Sequence, residues 1–454
     1  MAIQTKFRLT DSGEGGLPMR KLVWLSSLWW MAPVFPAEAA APIVVVTDAE
    51  GASARVGAPV SLEMDADALP AGGNTDCGLH LIEITAGHED SKPLAAQFVA
   101  DDQRPDQGRL WWLMPPGEKG ERRFRLVAGQ KSVAVSMVAQ HDPERQAVQV
   151  TDGTSPVLRY NHGTVPPPPE IVQRYEKEME PPQHYARGHY IHPVFGPDGE
   201  QISDDYSLDH PHHRGISWAW PHVHYQGESR DIWAVRVLPN QPGGAWARPV
   251  AMHRVVSGPV LALIDAECDW RWGDTTPIVR DRVVIRAFRQ TDGCRFLDID
   301  IFLVALQDGV AIAGQGQAAY GGFNLRTFPA FDQRNIDMRI DPPGAEPRRA
   351  WYHLTGIFPG GKRPAGVAML EHVGNPDYPN WPDLQDHPDL VPGGYPRWRS
   401  VQPAWPGNRK VALPKGEPLV LKYRLWIQPD VSDEAPLADV WQAYAEPARA
   451  SLAE

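Results

Sequence analysis

Alternation of apolar and polar positions is the strongest signal along the chain. Arg282-Val283-Val284-Ile285-Arg286-Ala287-Phe288 and Phe296-Leu297-Asp298-Ile299-Asp300-Ile301-Phe302-Leu303 show good alternation, with polar residues recurring at even spacing among apolar ones. That is the pattern of strands with one buried face and one wetter face. Asp274-Thr275-Thr276-Pro277 and Thr291-Asp292-Gly293 supply the turns between runs at 255–272, 278–290 and 294–305. Three long consecutive strands of this kind predict a large antiparallel sheet and hence a two-sheet sandwich. Closer to the start, β-rich runs at 43–46, 60–64, 79–84, 110–113 and 123–127 are separated by Gly, Pro and Asp clusters. They predict a smaller β-sandwich, read as an accessory domain over 40–151.

Between these two parts, Pro166 to Pro169 form a stiff four-proline stretch. Residues 152–182 therefore read as a Pro-rich linker, with a short helix starting at Glu170. The rest, 183–454, reads as the large domain. Near its end Leu437, Val440, Trp441 and Tyr444 recur at helical spacing. They predict one short C-terminal helix over 436–452, covering a sheet edge. The expected class is all-β, a small sandwich followed by a large antiparallel one.

The first 39 residues read as an address. Met19-Arg20-Lys21 leads into an apolar run from Leu22 to Ala32, and Ala37-Glu38-Ala39 offers a small-residue cleavage site. This is the layout of a secretory signal peptide, with translation starting at Met19. The expectation is a periplasmic or extracellular protein with no membrane span once the signal is cleaved. The apolar run is too short to cross a bilayer, and no later run reaches that length.

Composition narrows the function. A net charge of −12 argues against a nucleic-acid partner, because phosphates attract basic surfaces. The 46 prolines, about twice the usual share, argue against a helical bundle. Three cysteines, Cys77, Cys268 and Cys294, make no disulfide framework and no zinc spacing.

Histidine is concentrated. Of 16 in the chain, eight lie between 184 and 224, around Asp209-His210-Pro211-His212-His213-Arg214-Gly215-Ile216-Ser217-Trp218-Ala219-Trp220. Imidazole both donates and accepts protons near neutrality and is a common metal ligand. In a strand, His210 and His212, or His222 and His224, would share a face. No third metal ligand is fixed by spacing, so no cofactor is expected, and a His-bound divalent metal is the alternative. Trp218, Trp220, Tyr225 and Trp233 surround the histidines, and Trp381, Trp398 and Trp405 sit in Pro/Gly-rich stretches. Aromatic faces beside polar groups suit the C–H faces and hydroxyls of a sugar. Two further segments carry chemistry. Tyr320-Gly321-Gly322-Phe323-Asn324-Leu325-Arg326 joins flexible glycines to a guanidinium able to grip oxygen atoms. Leu370-Glu371-His372-Val373-Gly374-Asn375-Pro376 ends an apolar strand on a carboxylate and a His, groups suited to paired acid–base work.

These residues carry two resemblances. Tyr190-Ile191-His192-Pro193-Val194-Phe195-Gly196-Pro197-Asp198-Gly199, the Asp209 to Gly215 motif, Tyr320 to Arg326 and the Asn375-Pro376 turn resemble the bacterial family labelled methane oxygenase PmoA, over about 183–445. Glu371, Pro376, Asp377 and Asn380 are similar in spacing to a segment of the aldose 1-epimerases, the galactose mutarotase family. The second resemblance implies a large β-supersandwich. It also implies Glu371 as the base taking the anomeric hydroxyl proton, a His such as His213 or His222 as acid on the ring oxygen, and Arg214 and Arg326 holding sugar hydroxyls.

The leading expectation is thus an exported carbohydrate-active enzyme using His/Glu proton transfer for epimerisation, elimination or glycoside cleavage. His212, His213, His222 and Glu371 are its candidate catalytic groups. Arg214, Trp220, Tyr320, Arg326, His372, Asn375 and Trp398 are its candidate substrate contacts. The alternatives are a metal-dependent oxygenase or hydrolase using His210, His212 and His222, towards which the first family's label leans, and a noncatalytic glycan-binding protein. The expected partner is a carbohydrate or a related small molecule.

Overall fold

The computed structural model describes residues 41–70, 78–85, 88–89, 92–129, 136–175, 185–207, 211–235, 244–316, 319–328, 335–380, 400–429 and 435–453. The expected signal segment lies outside the described residues. Among those described, no helix is long and apolar enough to cross a membrane.

The fold is all-β, with antiparallel sheets and one short helix near the C-terminus. The alternating runs pair as their turns require. Ala245–Val256, Leu261–Trp272, Thr276–Phe288 and Arg295–Ala305 follow one another as neighbours. Leu419–Pro429, Ala365–Glu371, Ala350–Gly356 and Asn335–Ile340 complete this eight-stranded back sheet. A seven-stranded front sheet runs Ser400–Val401, Gly322–Arg326, Ile216–Ala219, Tyr190–Val194, Ser155–Asn161, Ala147–Asp152 and Met137–Asp142. One continuous core lies between the two sheets. Across it the ring of Phe323 stacks on that of Tyr423, with centroids 4.0 Å apart.

Some inward positions break the apolar rule. Asp281 is fully buried on the strand Thr276–Phe288. Its Oδ2 accepts hydrogen bonds from Trp218 Nε1 of the front sheet and Trp270 Nε1 of its own sheet, both at 2.9 Å. His189 Nε2 lies 3.1 Å from Oδ1, and His189 Nδ1 lies 2.7 Å from the Tyr160 hydroxyl. A buried carboxylate is tolerable only when donors converge on it, and here they come from both sheets.

The smaller N-terminal sheet runs Pro59–Asp65, Gln107–Leu113, Leu94–Ala100, Leu79–Thr85, Gly120–Ala128, Ile43–Asp48 and Arg449–Leu452, with His88–Glu89 paired on the side. Its first and last strands lie against each other, so the sheet closes on a core that includes Val44, Leu62, Leu81, Trp112 and Phe124.

Strand pairing corrects three expected boundaries. The hairpin of Met137–Asp142 and Ala147–Asp152 belongs to the front sheet, so the large body begins before 151. The expected linker over 152–182 contains the strand Ser155–Asn161 as well as the helix Pro169–Tyr175. The C-terminal helix spans Ala435–Ala445 and stops ahead of Pro447, which cannot continue it. The chain then adds Arg449–Leu452 to the N-terminal sheet, pairing Val44 with Leu452 and Val46 with Ala450.

Candidate functional site

Glu371 closes the inward face of Ala365–Glu371. On that face Val367, Met369 and Glu371 lie opposite Ile427, Leu425 and Tyr423 of the neighbouring strand. The carboxylate is 1% exposed. The chain then turns back over it. Asn375 N donates to His372 O at 2.9 Å, and the Asn375 side chain mimics a strand partner by bonding both the N–H and the C=O of Lys422. Asp377, at φ 58°, accepts Trp405 Nε1 at 2.9 Å. The turn ends with Asn380, whose backbone N–H donates to Glu371 Oε2 at 2.9 Å while its side-chain amide donates to Oε1. Burial pushes the Glu371 carboxyl up to about 7, and the Asn380 donors and the Asn375 amide offset part of that rise. Two phenols, Tyr352 and Tyr423, stand beside it and are pushed up by burial and by the Glu371 charge.

A second polar centre is built on the front sheet, where Gly322–Arg326 pairs with Ile216–Ala219. Arg326 is fully buried, and its Nη2 donates to Ser207 Oγ at 2.7 Å while Nε lies 3.7 Å from Asp204. Ser207 in turn bonds Asp204. Burial raises the Asp204 carboxyl, against the pull of Ser207 and Arg326. Beside it runs a string of rings. Tyr185 stacks on His212, His212 meets His213 edge-on at 4.5 Å, His213 meets Trp233 at 5.4 Å, and Trp233 meets Tyr320 at 5.8 Å. His213 and Trp233 are buried.

The segment from Ser400 to Trp405 ties the two centres together. Ser400 pairs with Arg326 and Val401 with Leu325. Gln402 O accepts the Tyr352 hydroxyl at 3.4 Å, and Trp405 donates to Asp377.

The geometry separates the expected site residues. Glu371, Tyr320, Arg326, His212 and His213 line these two centres. Arg214 does not act as a free sugar clamp. It is fully buried, its guanidinium lies 3.4 Å from the Tyr206 ring centroid, and its N–H groups go to Asp205, Tyr185 O and Tyr190 OH. Trp220 is a core residue whose indole donates to Trp405 O at 2.8 Å. Asn375 bonds both backbone groups of Lys422, and its amide also helps to hold the Glu371 carboxyl down. His222 lies on a separate four-stranded sheet of Glu228–Arg230, His222–Tyr225, Ala311–Ala313 and Val411–Ala412, its ring stacked on His224 at 5.9 Å and bonded to Ser229. His372 is the neighbour of Glu371 and therefore points to the opposite face of the sheet. It meets Tyr444 edge-on and lines a cleft of about 1120 Å³ against the N-terminal sheet, shared with Trp111, Lys422 and Arg424. Asp209, His210, Trp381 and Trp398 lie outside the described residues. Among the described residues no group of three or more His, Cys, Asp or Glu is placed to hold a metal ion. Cys268 and Cys294 are free thiols.

Sequence reading missed Tyr352, Tyr423, Asp204 and Ser207. Tyr423 carried one available signal: it interrupts the apolar inward series Leu421, Leu425, Ile427 with a hydroxyl.

Residues 147–442 match the family described as "Family of unknown function (DUF6807)". No curated protein matches the chain.

Proposed function

We propose that this chain, which belongs to the DUF6807 family of unknown function, is an exported carbohydrate-active enzyme in which Glu371 exchanges a proton with a sugar hydroxyl. The observation that carries this reading is the Glu371 carboxyl itself. It is sealed at a strand end, fixed through both oxygens by Asn380, and raised to about 7 by burial. A carboxyl poised near neutrality is what general acid–base work at a weakly acidic hydroxyl requires. The carboxylate accepts from Asn380 through both oxygens and from the Asn375 amide, and its four lone-pair positions leave room for a ligand hydroxyl. The spacing of Glu371, Pro376, Asp377 and Asn380, shared with the aldose 1-epimerases, supplies the substrate class, and the basic, apolar and Ala-x-Ala layout of residues 19–39 supplies the export. In this reading Arg326 and the ring series from His212 to Tyr320 hold the remainder of the ligand. The guanidinium serves oxygen atoms, and Trp233 and Tyr320 serve C–H faces.

The test is a panel of free aldoses followed by polarimetry and of aryl glycosides followed by colour release, comparing the wild type with Glu371→Gln. Turnover of one of these substrates that Glu371→Gln abolishes is the expected result. Turnover that survives the substitution would sink the reading. His372→Ala serves as the control. Its imidazole faces the other side of the sheet, so kcat/KM is expected to stay within about twofold of wild type, the scatter of a surface change away from the site. A tenfold fall would return His372 to the site.

A further inference from the structure

We propose that Tyr423 is the second ligand-contacting group at Glu371, its hydroxyl donating a hydrogen bond to the sugar oxygen adjacent to the hydroxyl that Glu371 deprotonates. The inference rests on the reading of Glu371 above and adds a residue that neither motif nor spacing identified.

Three observations carry it. Tyr423 is directly opposite Glu371 in the ladder between Ala365–Glu371 and Leu419–Pro429, and on the same inward face. Its ring is fixed by the stack on Phe323, at 4.0 Å and 12°, so its hydroxyl has a defined position. That hydroxyl is buried and, among the described residues, has no hydrogen-bond partner. The other phenols of this region are satisfied: Tyr352 donates to Gln402 O and Tyr378 to Arg348 O. A buried hydroxyl left without a partner costs stability, and phenylalanine would fill the same space without that cost. Among the described residues nothing in the fold uses the oxygen, whereas a ligand oxygen at Glu371 would. Burial and the neighbouring carboxylate both hold the phenol in its neutral form, which makes it a hydrogen-bond donor and leaves proton exchange to Glu371.

Tyr423→Phe and Glu371→Gln in the full chain separate the possibilities. Melting temperature is measured for each, together with turnover and thermal shift against D-glucose, D-galactose, D-xylose and L-arabinose. The expected result is a Tyr423→Phe protein that melts at or above the wild type while kcat/KM falls about tenfold to a hundredfold, the loss of one donor to the reacting ligand. Turnover within twofold of wild type in Tyr423→Phe, with Glu371→Gln inactive, would overturn the role of Tyr423 and leave that of Glu371 standing. A clear fall in melting temperature alongside lost turnover would make Tyr423 a structural residue and also overturn it. If no sugar in the panel binds or turns over in a Glu371-dependent way, both readings fall together.

Discussion

Glu371→Gln is expected to lower turnover by about a thousandfold, within the range that a positioned general acid or base contributes. The amide keeps the size of the side chain and one of its two bonds to Asn380 but cannot take a proton. The pH profile gives an independent check. With its carboxyl at about 7, Glu371 as a base gains activity as pH rises through 7, and at pH 5 roughly one molecule in a hundred carries the carboxylate. Stability should move the other way. The folded-state value lies above the unfolded value near 4.5, so the native state binds the extra proton between these two pH values. Wild-type stability therefore falls as pH climbs from about 4.5 to about 7, by about 3 kcal/mol in total. Gln carries no charge there, and its lost Asn380 bond costs only about 1 kcal/mol. Glu371→Gln should thus be inactive yet melt higher than wild type at pH 8, with the difference shrinking or reversing at pH 5. A pH-independent difference in melting temperature would show that Glu371 is ionised throughout and would remove the physical basis of its assigned role.

The long strands were legible because alternation is local. Each of Arg280, Arg282 and Arg286 announces an outward position, and their neighbours announce the core. Boundaries were less legible, because the hairpin over 137–152 alternates much as the N-terminal strands do. Only its partner, Ser155–Asn161, shows which sheet it joins. Glu371 was legible as a carboxylate ending an apolar strand ahead of an Asn-Pro turn. Grouping His372 with it failed because a strand sends consecutive side chains to opposite faces. Arg214 and Trp220 sit in the densest motif of the chain, yet local partners use up their donors, and those partners come from residues 185–206 and from Trp405. Chemical capacity is written in the residue, but availability depends on who else bonds to it. The same limit hid the Asp204–Ser207–Arg326 group, which long-range pairing assembles from segments more than a hundred residues apart.

Asp281→Ala is expected to cost more stability than any other change considered, about 3–5 kcal/mol, the range for breaking a buried, hydrogen-bonded charge. Asp281 is 0% exposed, two indole donors converge on its Oδ2, and His189 Nε2 lies 3.1 Å from its other oxygen. Trp218 arrives from the front sheet, Trp270 from the adjacent strand, and His189 from just before Tyr190–Val194. Alanine leaves two indole N–H groups unsatisfied in the core, removes the carboxylate beside His189 and opens a cavity between the sheets. Asp281→Asn separates the contributions. It keeps one carbonyl oxygen able to serve the two tryptophans and replaces the oxygen facing His189 with an NH₂ group, so its cost should fall between wild type and alanine, about 1–3 kcal/mol. Denaturant unfolding followed by Trp fluorescence measures both, because two of the reporting indoles are the donors themselves. The ordering wild type, Asn, Ala is the diagnostic result: it says that the acceptor atoms, not the volume of the side chain, join the sheets. An alanine variant within about 1 kcal/mol of wild type would mean that apolar packing alone holds the sandwich closed. The tryptophans next to the histidine motif would then have no anchoring role, and their placement there would again be open to explanation by ligand binding.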